Sequence, residues 1–285
     1  MSWKPIGSGV SPERLYPFKL VFSGAVPVAR FPFMMDGAAV GPLSCVISSC
    51  SAGTMGYSAL GNSPGRQVLY ESLGLAPEQV YAATQVHSRE VLLIDRECPN
   101  TRPEADGMIS RDAALWLSVT VADCLPVYLY DTESGGFGML HSGWKGTGIV
   151  MTALRLMAEH WSTQAQRVAA VLGPCIRSCC YQVDAERAQA FEAEFGGSGG
   201  TYPLGPVVRQ VPGADRDSWY IDLQAANARL LVQAGVRNIA VCGDCTFTDE
   251  RLGSFRREGP SSYTLMAALV GYGESKEYRR KEESS

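Results

Sequence analysis

The 285-residue chain contains no run of Lys or Arg, and its 25 basic against 29 acidic residues leave a net charge of −4. Binding to nucleic acid by phosphate neutralisation needs a basic cluster, so that class is excluded. No segment approaches the roughly 18 consecutive apolar residues of a spanning helix. The opening Met1-Ser2-Trp3-Lys4-Pro5 carries no apolar signal core. Neither membrane spanning nor secretion is expected. Gly61-Asn62-Ser63-Pro64-Gly65 lacks the Lys-Ser/Thr of a phosphate loop, and no fixed-period repeat is present.

Apolar residues make up 46% of the chain at a mean hydropathy of −0.03, enough to bury a sizeable core. Nine cysteines, an odd number spread over the chain, fit a reduced cytoplasmic protein better than a disulfide framework. The expected organisation is one catalytic domain over 17–273, with 1–16 and 274–285 as flexible termini. The Gly196–Gly200 run reads as a surface loop.

The elements alternate. Leu117–Ala122 and Val127–Tyr130 read as strands interrupted by Pro126, and 131–136 as a hairpin loop returning into Phe137–Leu140. Thr147–His160 shows one apolar helical face, followed by a buried strand at Val168–Leu172. Asp184 is expected to cap a helix running to about Phe195. Asp222 caps another that Gly235 stops. Asn238–Cys242 and Thr264–Val270 complete the strands. Hairpin-joined strands mixed with single helices argue for an α+β fold, a compact sandwich of mixed β-sheets flanked by helices.

Unusual residue choices concentrate in Gln85-Val86-His87, Ala122-Asp123-Cys124-Leu125-Pro126 and His141-Ser142-Gly143-Trp144-Lys145-Gly146. If the hairpin strands are antiparallel neighbours, Cys124 and His141 meet at one sheet edge, and His87 must reach them from an earlier loop. One thiolate and two imidazoles suit Zn²⁺ and leave a fourth tetrahedral position free. On spacing alone, a structural role for these residues is the commoner one. Lys145 and the Gly-rich turn before a helix offer an anion site. Asp123 could move a proton or orient an imidazole. Arg256-Arg257 could form a guanidinium fork for phosphate or lie on the solvated surface. Cys242-Gly243-Asp244-Cys245 lacks the helix a redox pair would want. Cys179 and Cys180, if in a strand, would point to opposite faces, so that Cys175, Cys179 and Cys180 are expected to fill core.

Taken in order, these three motifs resemble those of the multicopper polyphenol oxidoreductase (laccase-like) family, also described as the peptidoglycan-editing-factor or purine nucleoside phosphorylase family. Leu172-Gly173-Pro174-Cys175-Ile176 with Tyr181-Gln182-Val183 is similar to its next block, and Cys245-Thr246 with Ser254-Phe255-Arg256-Arg257 to its last. The resemblance implies a mixed-sheet sandwich and metal ligands at His87, Cys124 and His141. It also implies a zinc-dependent enzyme, with copper possible in place of zinc. The implied reactions are phosphorolysis of purine nucleosides and deamination of adenosine, with a purine nucleoside and phosphate as partners. Asp123, Lys145 and Arg256 are the candidate catalytic residues.

Two departures are visible. An N-terminal Arg-x-Gly-Gly-x-Ser stretch is replaced by Cys50–Ser58, and Gly259 is followed by Pro260 where the family closes on Gly-Arg. Copper-dependent phenol oxidation, which the family name asserts, would need about ten histidine-type ligands for four copper ions; this chain has three histidines. A Cys124–His141 hydrolase is the third reading.

Overall fold

The computed structural model describes residues 14–58, 61–197, 203–213 and 217–273. The terminal segments 1–13 and 274–285, and the end of the Gly-rich run at 198–200, lie outside the described residues.

Leu125–Asp131 is buried at every position. Val127 and Leu129 point to one face while Tyr128 and Tyr130 point to the other. A strand wetted on neither side reads as a continuous apolar run, because period-2 alternation then separates two cores rather than core from solvent. It lies in the middle of a seven-stranded sheet ordered Arg14–Phe18, Asn238–Cys242, Val168–Leu172, Leu125–Asp131, Phe137–Ser142, Gly107–Ser110, Val91–Leu93. Its central pairs are antiparallel and its outer pairs parallel.

A second sheet, Phe22–Ser23, Val28–Met35, Ala38–Ser48, Met266–Tyr272, Trp116–Val121, Val80–Ala82, packs across the first. Phe31, Phe33, Leu117, Tyr128, Phe137 and Val270 share the core between them. Helices Ile149–Trp161, Ala185–Phe195 and Leu223–Ala234 cover the outer face of the seven-stranded sheet. Helix Pro64–Leu73 covers that of the other. The α+β sandwich of mixed sheets is therefore the observed architecture, in four layers.

Helix ends follow sequence. The Asp184 carboxylate accepts from Arg187 N at 2.7 Å, and that of Asp222 from Ala225 N at 2.9 Å. Gly235 closes its helix at φ 99°, a conformation that penalises any residue with a Cβ.

Three expectations need correction. Residues 14–16 are not loose: Arg14–Phe18 pairs in parallel with Asn238–Cys242. Pro126 does not interrupt its strand but sits inside it, opposite His141. Cys179 and Cys180 occupy a turn rather than a strand. Cys180 N donates to Arg177 O at 2.8 Å, so strand alternation does not govern where their sulfurs point.

Candidate metal centre

The strand Trp116–Val121 ends in one sheet and Leu125–Asp131 begins in the other. The crossover Ala122-Asp123-Cys124 is thus a short bridge at the rim of the sandwich. Asp123 is bent into the left-handed region at φ 86°, which costs a non-glycine residue free energy and must be held in place. Three hydrogen bonds and burial hold it. Its Oδ1 accepts from the Thr246 hydroxyl at 2.5 Å and its Oδ2 from Arg256 N at 2.7 Å. Ile176 N donates to its carbonyl at 3.0 Å, and the residue is buried.

Cys124 follows directly. The register Leu125↔Ser142 and Pro126↔His141 brings it beside the end of the returning hairpin strand.

His87 arrives on a loop built around two side chains. The Gln85 amide pairs with both backbone groups of Thr120, at 2.7 and 2.8 Å, in the manner of an extra rung of sheet. Asp106 then collects Val86 N, His87 N and Ser88 N at 3.1, 3.0 and 2.6 Å, and the Ser88 hydroxyl at 2.8 Å. His87 itself sits at φ 59°.

The same Asp106 carboxylate meets His141 Nδ1 at 2.7 Å, leaving Nε2 as that ring's free nitrogen. Burial opposes ionisation of Asp106, yet hydrogen bonds from His141 and Ser88 bring its pKa down to about 2. Asp106 therefore orders two of the three candidate ligands at once, and it was absent from the sequence reading. In Glu104-Ala105-Asp106-Gly107 it looks like an ordinary turn residue; only tertiary contacts reveal its task.

His87, Cys124 and His141 converge, with their ligand atoms all within 4.8 Å of one another. The two imidazoles meet edge to face at 5.0 Å. Burial opposes the Cys124 thiolate, but the charge of His141 and hydrogen bonds from both histidines lower its pKa to about 6. Burial likewise opposes the His141 cation, while Cys124 and Asp106 raise its pKa to about 9. Both shifts favour a thiolate beside an imidazolium when no cation is bound. With one, two imidazole nitrogens and a thiolate form a donor set that suits a borderline ion, and the carboxylate behind His141 is the usual orienting partner.

Gly143 makes this closeness possible: a Cβ there would lie 2.9 Å from Cys124 Sγ and 3.2 Å from His87 Cδ2. Gly143→Ala is accordingly expected to weaken metal retention about tenfold or more, read by chelator competition, with little change in thermal midpoint.

The centre opens into a cavity of about 550 Å³, within the range of small-ligand sites. Its walls are aromatic at Tyr57, Trp144, Tyr181, Phe255 and Tyr263, and cationic at Arg187 and Arg256. Arg256 lines it, braced by its Nη1 bond to Gln182 O at 2.8 Å. Arg257 does not share that role: its guanidinium is spent on backbone carbonyls of the 246–252 loop.

Lys145 is exposed beside Trp144 and lines a separate depression with Arg89 and Glu194, so it does not reach the cavity. Arg187, not Lys145, is the second cation on its wall. It stacks 4.6 Å from the Trp144 ring, and as one charged residue in a helical stretch it carried no sequence signal. At the missing N-terminal motif, Tyr57 is sandwiched between Arg66 and Arg102, at 4.0 and 4.4 Å from its ring.

Comparison with known proteins places this geometry. Residues 63–272 match the family described as multi-copper polyphenol oxidoreductase laccase. A purine nucleoside phosphorylase of Mycobacterium bovis is 33% identical over 207 residues, covering 72% of this chain and 77% of the relative. An adenosine deaminase from an unknown prokaryotic organism is 30% identical over 218 residues, covering 70% and 80%. The crystal structure of YlmD from Geobacillus stearothermophilus superposes with a TM-score of 0.71 at 24% identity, covering 90% of this chain and all of that one, and shares the fold.

Proposed function

The chain belongs to the multi-copper polyphenol oxidoreductase laccase family, and from that premise we propose that it is a zinc-dependent purine nucleoside phosphorylase, with adenosine deamination as a second activity of the same cavity. The observation that carries the reading is the joining of the His87–Cys124–His141 centre to an aromatic cavity bearing two arginines. The names of the relatives support it.

A purine is a flat π-system with an edge of hydrogen-bonding atoms, and Tyr181, Phe255 and Tyr263 supply apolar faces against which such a ring stacks. Phosphate is dianionic near neutral pH, and the Arg187 and Arg256 guanidinium groups offer paired donors for its oxygens. In phosphorolysis a phosphate oxygen forms a bond to ribose C1′ as the bond from C1′ to the purine nitrogen breaks. Ribose 1-phosphate leaves, and the purine departs with the proton that the phosphate gives up. Holding the two reactants in line supplies much of the acceleration. A bound zinc ion would add Lewis acidity beside the reacting oxygens. Asp123, with both carboxylate oxygens engaged by Thr246 and Arg256, acts as a positioning residue for Cys124 and the Arg256 backbone.

Phenol oxidation is disfavoured by ligand supply. The third histidine, His160, lies in the last turn of Ile149–Trp161, away from the centre.

The test is release of free purine from a nucleoside panel with and without phosphate. Phosphate-dependent release is expected; its absence in zinc-loaded protein overturns the reading. Arg187→Gln should raise the KM for phosphate about tenfold or more, since a charged hydrogen bond contributes about 1.5–3 kcal/mol, while changing the KM for nucleoside far less.

A further inference from the structure

A second group of sulfur ligands lies outside the centre described above. The parallel bridge Cys175↔Cys245 joins the loop after Val168–Leu172 to the loop after Asn238–Cys242. Beyond it the turn at 178–180 folds back, bringing Cys179 Sγ to 3.7 Å from Cys245 Sγ and Cys180 Sγ to 3.3 Å from Cys179 Sγ. All three sulfurs lie within 4.8 Å of one another. Cys175 and Cys242 do not join them: each is buried in a hydrophobic core.

We propose that Cys179, Cys180 and Cys245 form a second metal site, which takes one zinc-class divalent cation through three thiolates and ties the two loops together.

Distance supports this first. Zinc–sulfur bonds of about 2.3 Å in a tetrahedron set sulfurs about 3.8 Å apart, so the observed separations need only small side-chain rotations. The second support is the way Cys245 is held. Its sulfur is buried and accepts from Arg177 N at 3.4 Å. That contact fixes one sulfur at the base of the group, facing the other two.

The third support is the crowding of the three sulfurs, with Cys180 Sγ 3.3 Å from Cys179 Sγ and Cys179 Sγ 3.7 Å from Cys245 Sγ. Three thiolates repel one another at this spacing; a dication between them removes the repulsion. Cys179 is exposed, so an ion can enter and a water can complete the tetrahedron. The tie would matter to the cavity, because Ile176 and Tyr181 line it and Thr246 holds Asp123.

Cobalt titration of reduced, metal-free protein tests this, since each thiolate bound to Co²⁺ contributes charge-transfer absorbance. Wild-type protein is expected to take two equivalents, one through one thiolate and one through three. Cys124→Ala should lose one equivalent and about a quarter of the absorbance. The Cys179→Ser/Cys180→Ser double variant should lose one equivalent and about three quarters. In Cys124→Ala protein, Zn²⁺ should protect Cys179 and Cys180 from alkylation, as read by peptide mass spectrometry. Full cobalt uptake and absorbance in the double variant would overturn the proposal. So would unprotected alkylation under Zn²⁺, or a Cys179–Cys245 disulfide that persists in reductant. None of these readouts depends on nucleoside turnover, so failure here leaves the phosphorylase reading standing, and the converse holds.

Discussion

Cys124→Ala is expected to remove one equivalent of bound metal per chain and to lower purine release by at least about a hundredfold, because losing a ligand must exceed the 10–100-fold cost of losing a partner behind one. The thiolate is the only anionic member of the trio. Its removal leaves two imidazoles and no compensating charge for a dication. The fold should persist: Cys124 is only partly buried at the rim of the sandwich, where truncation opens space towards the cavity rather than a void in the core. Elemental analysis, purine release and a thermal melt, run on one preparation, separate these effects. Wild-type turnover in a variant that has lost the metal would refute the zinc-dependent reading.

Asp106→Asn should do damage of a different kind. The carboxylate is completely buried and serves three backbone N–H groups, one hydroxyl and His141 Nδ1. An amide cannot accept at both ends, so at least one donor of the His87 loop is left facing an NH₂ group. Hydrogen bonds to a charged acceptor contribute about 1.5–3 kcal/mol each, and a loss of about 3 kcal/mol in urea unfolding is expected, together with about 10–100-fold weaker metal retention.

A second readout isolates the electrostatics. In metal-free wild-type protein, alkylation of Cys124 should switch on around pH 6, following its lowered pKa. Removing the Asp106 charge lowers the pKa of His141, which then carries less positive charge beside the sulfur. The alkylation midpoint must therefore move to higher pH. An unchanged midpoint would show that His141 does not owe its charge to Asp106.

Much of this molecule was legible in the chain. Caps at Asp184 and Asp222, the stop at Gly235 and the runs around Val168–Leu172 and Asn238–Cys242 are local signals, and each lies where its chemistry put it. Sheet membership was not legible. Trp116–Val121 and Leu125–Asp131 follow one another in sequence and yet lie in different sheets, because three residues suffice to cross the rim and both strands are almost wholly buried, so neither has a solvent face to tell the sheets apart. The turn that carries Cys179 and Cys180 was misread as strand: Cys180 N and Tyr181 N both donate to Arg177 O, and side-chain contacts to residues 222 and 245 dock it on the fold.

By itself the amino-acid sequence determined the residue types able to hold a cation, their order along the chain and the apolar periodicities that make a mixed sandwich, since these depend only on side-chain chemistry and near neighbours. Tertiary structure alone decided that one buried carboxylate would order both His87 and His141, that Arg187 rather than Lys145 would face the cavity, and that three sulfurs from two loops would meet. Each of those outcomes depends on the direction of a side chain in three dimensions, which is set by the packing of segments far apart in the chain.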